Sequence, residues 1–227
     1  LVGSEMCIRD RAGTYNDRKV EVHFVNSEKL TDENVAEALK GMAGVMIGPG
    51  FGQRGIDGKF VAIKYTRTHD IPTFGICLGM QCIAIEFARN VLGYADADSR
   101  EMDEKTPHNV IDIMEEQKNI TQMGGTMRLG AYDCDVREGS KTFEAYGQKQ
   151  ISERHRHRYE FNNDYKQEYE KAGMKCVGTN PESDLVEIIE IPTLKWFIGV
   201  QFHPEYSSTV LKPHPLFLSF IKAAIDK

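Results

Sequence analysis

Cys77 sits in Phe74-Gly75-Ile76-Cys77-Leu78-Gly79-Met80-Gln81, with a glycine two positions before the thiol and another two after. An apolar strand ending at Ile76 and an apolar helix starting at Leu78 would hold the thiol on a sharp turn at the top of a sheet. A helix N-terminus favours thiolate over thiol, so the chemistry on offer is nucleophilic attack. A buried core cysteine is the plain alternative, because free Cys is among the most buried residue types. A nucleophile also needs a base, and the base an orienter. His203-Pro204-Glu205 supplies both: Pro204 stiffens the turn, and Glu205 can hydrogen-bond the imidazole and set its tautomer and tilt. Standing alone at a strand end, that histidine would be read as structural.

Charge stabilisation has a candidate in Gly48-Pro49-Gly50-Phe51-Gly52-Gln53-Arg54-Gly55. Glycines let backbone N–H groups approach a substrate closely, so Gly50 and the N–H of Leu78, just after the thiol, form a natural oxyanion hole. The same loop matches the dinucleotide pattern GxGxxG, with Asp70 twenty residues after Gly50. That reading fails on position. Asp70 precedes Ile71-Pro72 and falls where the next strand begins, whereas a ribose-binding acid belongs at the carboxyl edge. Gly58-Lys59 lacks the flanking residues of a P-loop. In Arg154-His155-Arg156-His157-Arg158 a strand would put three arginines on one face and two histidines on the other. A solvated edge strand explains the pattern, and an arginine there could also clamp a carboxylate.

The elements that must position these groups follow a β-α rhythm. Alternation of Val20, Val22 and Phe24 predicts a strand over residues 19–25. Thr31 reads as the N-cap of a helix to about Leu39, with Asn34 in place of the usual capping-box acid. Strands at 44–47 and 72–76 alternate with helices at 59–69 and 78–92, which implies parallel pairing with right-handed crossovers. After a polar stretch at 96–108, strands are expected at 126–136, 151–162, 175–179, 186–191 and 196–202. Helices are expected at 164–172 and 215–224. The chain then reads as α/β, one domain over 19–227. Residues 1–18 form an irregular leading segment whose first eleven lack any periodicity and need not be native; with Leu1 in place of a methionine, the chain reads as a fragment.

Composition narrows the function. The net charge of −6 argues against a general nucleic-acid binder, and no apolar run is long enough to span a bilayer. Five scattered cysteines form no CxxC pair, so neither a disulfide framework nor a metal site is expected, and a cytoplasmic location is the default.

With Gly75 through Gln81 and His203-Pro204-Glu205 in hand, the chain resembles the class I glutamine amidotransferases from about residue 19 to the C-terminus. Residues 55–59, 124–130 (GGTMRLG), 153–160 (ERHRHRYE) and 185–191 (LVEIIEI) carry a narrower likeness, to the CTP-forming branch; the second and third are the most selective. The resemblance implies a flavodoxin-like fold, with a central mixed, mostly parallel sheet and flanking helices. It implies a Cys77-His203-Glu205 triad acting on the side-chain amide of L-glutamine through a γ-glutamyl thioester. Leu78, Gly79, Met80, Gln81, Glu101 and Arg158 would hold glutamine, with Arg158 suited to its α-carboxylate and Glu101 to its α-ammonium. The domain would need no cofactor or metal of its own. It would pass ammonia to an N-terminal amidoligase half using ATP, UTP and Mg, absent from this chain, with GTP as activator and a homotetramer as the working form.

One departure is Pro49, where the family often has a second glycine before Phe51. Arg128 reads either as part of a lid linked to the activator or as an ordinary surface arginine. Two other functions stay open: a free-standing γ-glutamyl hydrolase or amidotransferase of another pathway, and a catalytically idle regulatory domain.

Overall fold

A computed structural model describes residues 2–113 and 127–225. In chain order the strands are β1 (Val45–Ile47), β2 (Thr73–Ile76), β3 (Asp98–Ser99), β4 (Asn109–Ile113), β5 (Arg128–Val136), β6 (Gln150–His157), β7 (Tyr159–Phe161), β8 (Lys175–Thr179), β9 (Val186–Glu190) and β10 (Phe197–Val200). The α-helices are α1 (Val2–Met6), α2 (Val35–Ala38), α3 (Ile56–Thr68), α4 (Leu78–Phe87), α5 (Lys141–Tyr146), α6 (Lys166–Ala172) and α7 (Pro215–Ile225). Seven strands form the main sheet in the order β1-β2-β10-β9-β8-β5-β6, and β3-β4-β7 form a smaller one.

The α/β architecture and mixed sheet agree with expectation, but the parallel share is smaller. Only β1–β2 and β2–β10 are parallel among the six pairings of the main sheet. Parallel neighbours require crossover helices, which α3 and α4 supply on one side only; the later strands return through short connections and pair antiparallel. The parallel part places the site. Ile47 pairs with Gly75 and Val200 with Ile76, so the chain leaves β1, β2 and β10 at one edge.

Two apolar clusters cover the sheet faces. Ile63, Met80, Ile83 and Phe197 belong to one, and Phe74, Ile198, Phe217 and Phe220 to the other. On α7, Leu216, Phe217, Phe220 and Ile221 are buried, each contributing about 1.5–3 kcal/mol of transfer free energy.

Several expectations are corrected. Residues 19–25 form no strand, and Phe24 is 71% exposed. A period-2 pattern needs a ladder partner, and among the described residues none lies beside it. Residues 2–13 are helical, α1 running into a π-helical segment Cys7–Gly13, where irregular chain was expected. Cys7, Ile8 and Ala12 are buried with the side chains of α7, an apolar surface that local periodicity does not reveal. The Thr31 cap survives in part: Asn34 Oδ1 accepts the Thr31 N–H at 3.0 Å, although the helix proper runs only over Val35–Ala38. The helix after Cys77 continues past Phe87 as a π-helical turn and stops on Gly93 at φ 85°. β4 and α5 had no expected counterpart. The strand expected over 151–162 breaks at Arg158, where the chain passes from the large sheet to the small one. Residues 124–126, part of the selective stretch, lie outside the described residues.

Candidate active site

Cys77 has φ 53° and ψ −107°, a left-handed conformation in a residue that carries a Cβ. Such strain costs on the order of 1–3 kcal/mol and persists only where the surroundings enforce it. The two glycines are part of that enforcement. A Cβ on Gly75 would come within 2.6 Å of Ile83 Cδ1, and one on Gly79 within 2.1 Å of the Ile47 carbonyl oxygen. Glycine at both positions lets α4 start directly over the ends of β1 and β2. The Cys77 N–H donates to Val200 O at 2.7 Å, which ties the turn to β10.

His203 lies three residues beyond β10, and its N–H donates to Arg154 O on β6 at 2.8 Å. Its Nδ1 is 2.7 Å from Glu205 Oε1, and Glu205 sits in a single 3-10 turn that opens on Pro204. Nε2 is buried and makes no hydrogen bond among the described residues. Burial lowers the imidazole pKa, but the Cys77 thiol and the Glu205 carboxylate outweigh it and bring His203 to about 10. The histidine can therefore rest as imidazolium at neutral pH, with a proton available for transfer to a leaving group.

A cavity opens beside the thiol, lined in part by Gly50, Leu78, Gln81, Glu101 and Arg158. A Cβ on Gly50 would lie 3.3 Å from Leu78 Cδ2, so the two expected oxyanion donors border the same space. Leu78 opens α4, so its N–H has no partner within the helix. Both N–H bonds of Gln81 are committed: Nε2 donates to Tyr159 O at 2.9 Å and to Gln201 Oε1 at 3.2 Å. Only Oε1 is left for a ligand, and it can only accept. Glu101 takes the Gly52 N–H at 3.3 Å, which braces the glycine loop and adds a second acceptor group. Arg158 adds a guanidinium at the point where β6 ends. One donor fork, two acceptors and a thiol on one wall suit an α-amino acid with a reactive side-chain carbonyl.

Gly79 and Met80 are not brought to this cavity. Gly79 is packed on β1, and Met80 is buried in the core against Gly199. Four lining residues escaped the sequence reading: Phe51, Met127, His157 and Tyr159. Gln201 was missed as well, although it is the first residue after β10, two positions before His203. Its Nε2 is 3.7 Å from Cys77 Sγ.

The Arg-His alternation holds on β6 for two of the three arginines: Arg154 and Arg156 are exposed opposite the buried His155 and His157, whereas Arg158 lies beyond the strand and lines the cavity. Arg128 is no surface residue. It is 7% exposed and pairs with Glu187 at 2.7 Å, beneath a cation–π contact with Tyr132. Asp70 accepts the Lys195 N–H at 2.6 Å, beside the start of β10 and away from the glycine loop. Among the described residues no group of three or more His, Cys, Asp or Glu side chains could hold a metal ion. None of their helices is long and apolar enough to cross a membrane.

Comparisons with known proteins identify the family and the fold. The family model "Glutamine amidotransferase class-I" matches residues 10–223. A CTP synthase of Bacteroides thetaiotaomicron is 88% identical over 216 residues, covering 95% of this chain and 40% of that protein. One from Porphyromonas gingivalis is 59% identical over 215 residues, again 95% of this chain and 40% of the relative. This chain thus spans about two fifths of the length of these relatives. The glutaminase domain of Trypanosoma brucei CTPS with bound acivicin superimposes with a TM-score of 0.93 at 38% identity, covering 100% of this chain and 88% of that one.

Proposed function

The chain belongs to the class I glutamine amidotransferases, in their CTP synthase branch, and on that footing we propose that Cys77, His203 and Glu205 hydrolyse the side-chain amide of L-glutamine. The observation that carries this reading is the imidazole of His203. One nitrogen is held by Glu205 at 2.7 Å, while the other is buried, free of hydrogen bonds among the described residues, and near enough to the Cys77 thiol to be tuned by it.

The Cys77 thiolate attacks the amide carbon, and the oxyanion rests on the N–H groups of Gly50 and Leu78. His203 gives its Nε2 proton to the nitrogen, the C–N bond breaks, and ammonia leaves a γ-glutamyl thioester on Cys77. The imidazole, now neutral, takes a proton from water. The resulting hydroxide cleaves the thioester to glutamate and returns Cys77 as thiolate. Glu205 keeps the imidazole in register throughout. Arg158 receives the α-carboxylate, and Gln81 Oε1 with Glu101 receives the α-ammonium. Gly79 serves through its lack of a Cβ, and Met80 through packing.

Residues 19–227 form the amidotransferase unit in this proposal, and the leading segment 1–18 packs Cys7, Ile8 and Ala12 onto its helix α7. Ammonia passes to an amidoligase half that aminates UTP with ATP and Mg to give CTP, under activation by GTP, in a cytoplasmic homotetramer that binds neither nucleic acid nor membrane. Incubating the chain with L-glutamine tests the reading: glutamate and ammonia should appear in equal amounts, with a γ-glutamyl adduct on the Cys77 peptide after acid quench. Faster cleavage of a γ-glutamyl peptide than of glutamine would favour a hydrolase instead.

A further inference from the structure

The sulfur of Cys77 has two neighbours with opposite preferences. The carbonyl of Arg156 lies 4.0 Å away and can only accept, so it favours the thiol. The Nε2 of Gln201 lies 3.7 Å away and can only donate, so it favours the thiolate. Gln201 is 1% exposed, and its backbone N–H is fixed to Glu187 O at 2.8 Å. Which end of its amide faces the sulfur is not arbitrary. Gln81 must present N–H to the Tyr159 carbonyl at 2.9 Å, and its amide nitrogen is also 3.2 Å from the Gln201 amide. A donor there requires Gln201 to turn its oxygen towards Gln81. The Gln201 NH₂ is then left facing Cys77.

We propose that Gln201 is a catalytic residue of this site: its side-chain amide, oriented by Gln81 and the Tyr159 carbonyl, donates to Cys77 Sγ and holds the sulfur as thiolate. The register explains why Gln201 is the residue that does so. Ile76 and Val200 are paired across parallel strands, so the next residues, Cys77 and Gln201, leave the sheet side by side. His203 acts on the same sulfur as a proton carrier; Gln201 is a neutral donor that never gives up its proton. The charged and titratable groups around the sulfur are His203, with Glu205 behind it, His157, Arg158 and Tyr159 at and just beyond the end of β6, Glu101 across the cavity, Lys59 beside Gly50, and Cys82 further along α4. All of these stay in place when Gln201 is changed.

The proposal rests on Cys77 being the glutaminase nucleophile, but its test does not need turnover. The rate of Cys77 alkylation by iodoacetamide is followed against pH in the 227-residue chain, by mass spectrometry of the Cys77 peptide. Gln201→Met should move the midpoint upward by about one pH unit, the scale of one hydrogen bond to a charged group. Gln81→Met, which frees the Gln201 amide to turn, should move it in the same direction by less. Glutaminase kcat should fall in Gln201→Met while KM changes little. An unchanged alkylation midpoint in a folded Gln201→Met chain overturns the proposal. Should that variant not fold, the unsubstituted chain still decides. The Gln201 side-chain amide resonance should titrate with the alkylation midpoint of Cys77 and lose that titration in Cys77→Ala; an amide that does not titrate overturns the idea. Absence of glutamine turnover in a chain whose Cys77 midpoint responds to Gln201 would instead count against the glutaminase reading alone.

Discussion

His203 at the carboxyl edge of β10 and the pair His155–His157 on β6 use the same residue types to opposite ends. Each has an acid within reach: Glu205 lies 2.7 Å from His203, and Glu187 lies 3.4 Å from His155. Of the β6 pair His157 is closed, whereas His155 Nε2 makes no hydrogen bond among the described residues and faces the Glu187 carboxylate rather than a reacting atom. His157 gives Nδ1 to Tyr159 O at 3.1 Å, and its Nε2 meets His155 Nδ1 at 2.9 Å. Burial lowers the pKa of both, and for His157 the neighbouring His155 and Arg128 lower it further. At His203 burial also opposes the charge, yet Cys77 and Glu205 reverse the outcome and the pKa stands at about 10. A histidine beside a carboxylate is therefore not in itself a base. What separates the two is a nitrogen left open towards a reacting atom. His214 is closed in the same way, with Nε2 on Glu153 at 2.8 Å and Nδ1 accepting the Leu216 N–H at 3.2 Å.

Substitution gives the widest separation between the two regions. His203→Ala should lower glutaminase kcat by about 10²–10⁴, the usual range for a general acid–base. His157→Gln, measured in the same steady-state assay, should stay within about tenfold per folded molecule while lowering stability by about 1–3 kcal/mol through orphaned partners. A His157 effect as large as that of His203 would break the distinction.

The buried pair behind His155 should register on stability rather than on chemistry. Arg128→Met alone leaves Glu187 uncompensated and should cost about 3–5 kcal/mol in urea unfolding. Adding Glu187→Met should recover much of that loss. At the cavity, Arg158→Lys keeps the charge but loses the planar fork, so KM for glutamine should rise by about tenfold with kcat little changed.

The smallest effect concerns pH. The folded His203 pKa of about 10 lies above its ordinary 6.5, so its contribution to stability is complete below 6.5 and lost as pH rises towards 10. The difference in unfolding free energy between the unsubstituted chain and His203→Gln should shrink across that interval. A difference that grows with pH would contradict the assigned imidazolium.

Much of the site was legible because its chemistry lies next to strong local signals. Gly75 and Gly79 bracket Cys77, Pro204 precedes Glu205, and each motif follows an apolar strand. Period-2 spacing put His155 and His157 on the face opposite Arg154 and Arg156, as the strand has them. What stayed illegible depends on distant partners. Residues 19–25 alternate as a strand does, yet alternation cannot say whether a neighbouring strand exists. Cys7, Ile8 and Ala12 become core only because α7 offers them a surface. Arg128 needs Glu187, 59 positions away in the chain, before burial becomes tolerable. Met80 sits in a motif that surrounds the thiol, but its place on α4 turns its side chain into the core.

The central claim is that Cys77, alone of five cysteines, is a nucleophile poised for glutamine. Burial pushes the thiols of Cys82 and Cys176 up to about 12 and that of Cys134 upward as well, so these should be inert. A glutamine-analogue electrophile incubated with the chain, followed by peptide mapping, tests this most directly. The adduct should fall on Cys77, be suppressed by added L-glutamine, vanish in Cys77→Ser and weaken in His203→Ala. Preferential labelling of Cys82 or Cys176, or labelling of Cys77 that glutamine does not suppress, would contradict it.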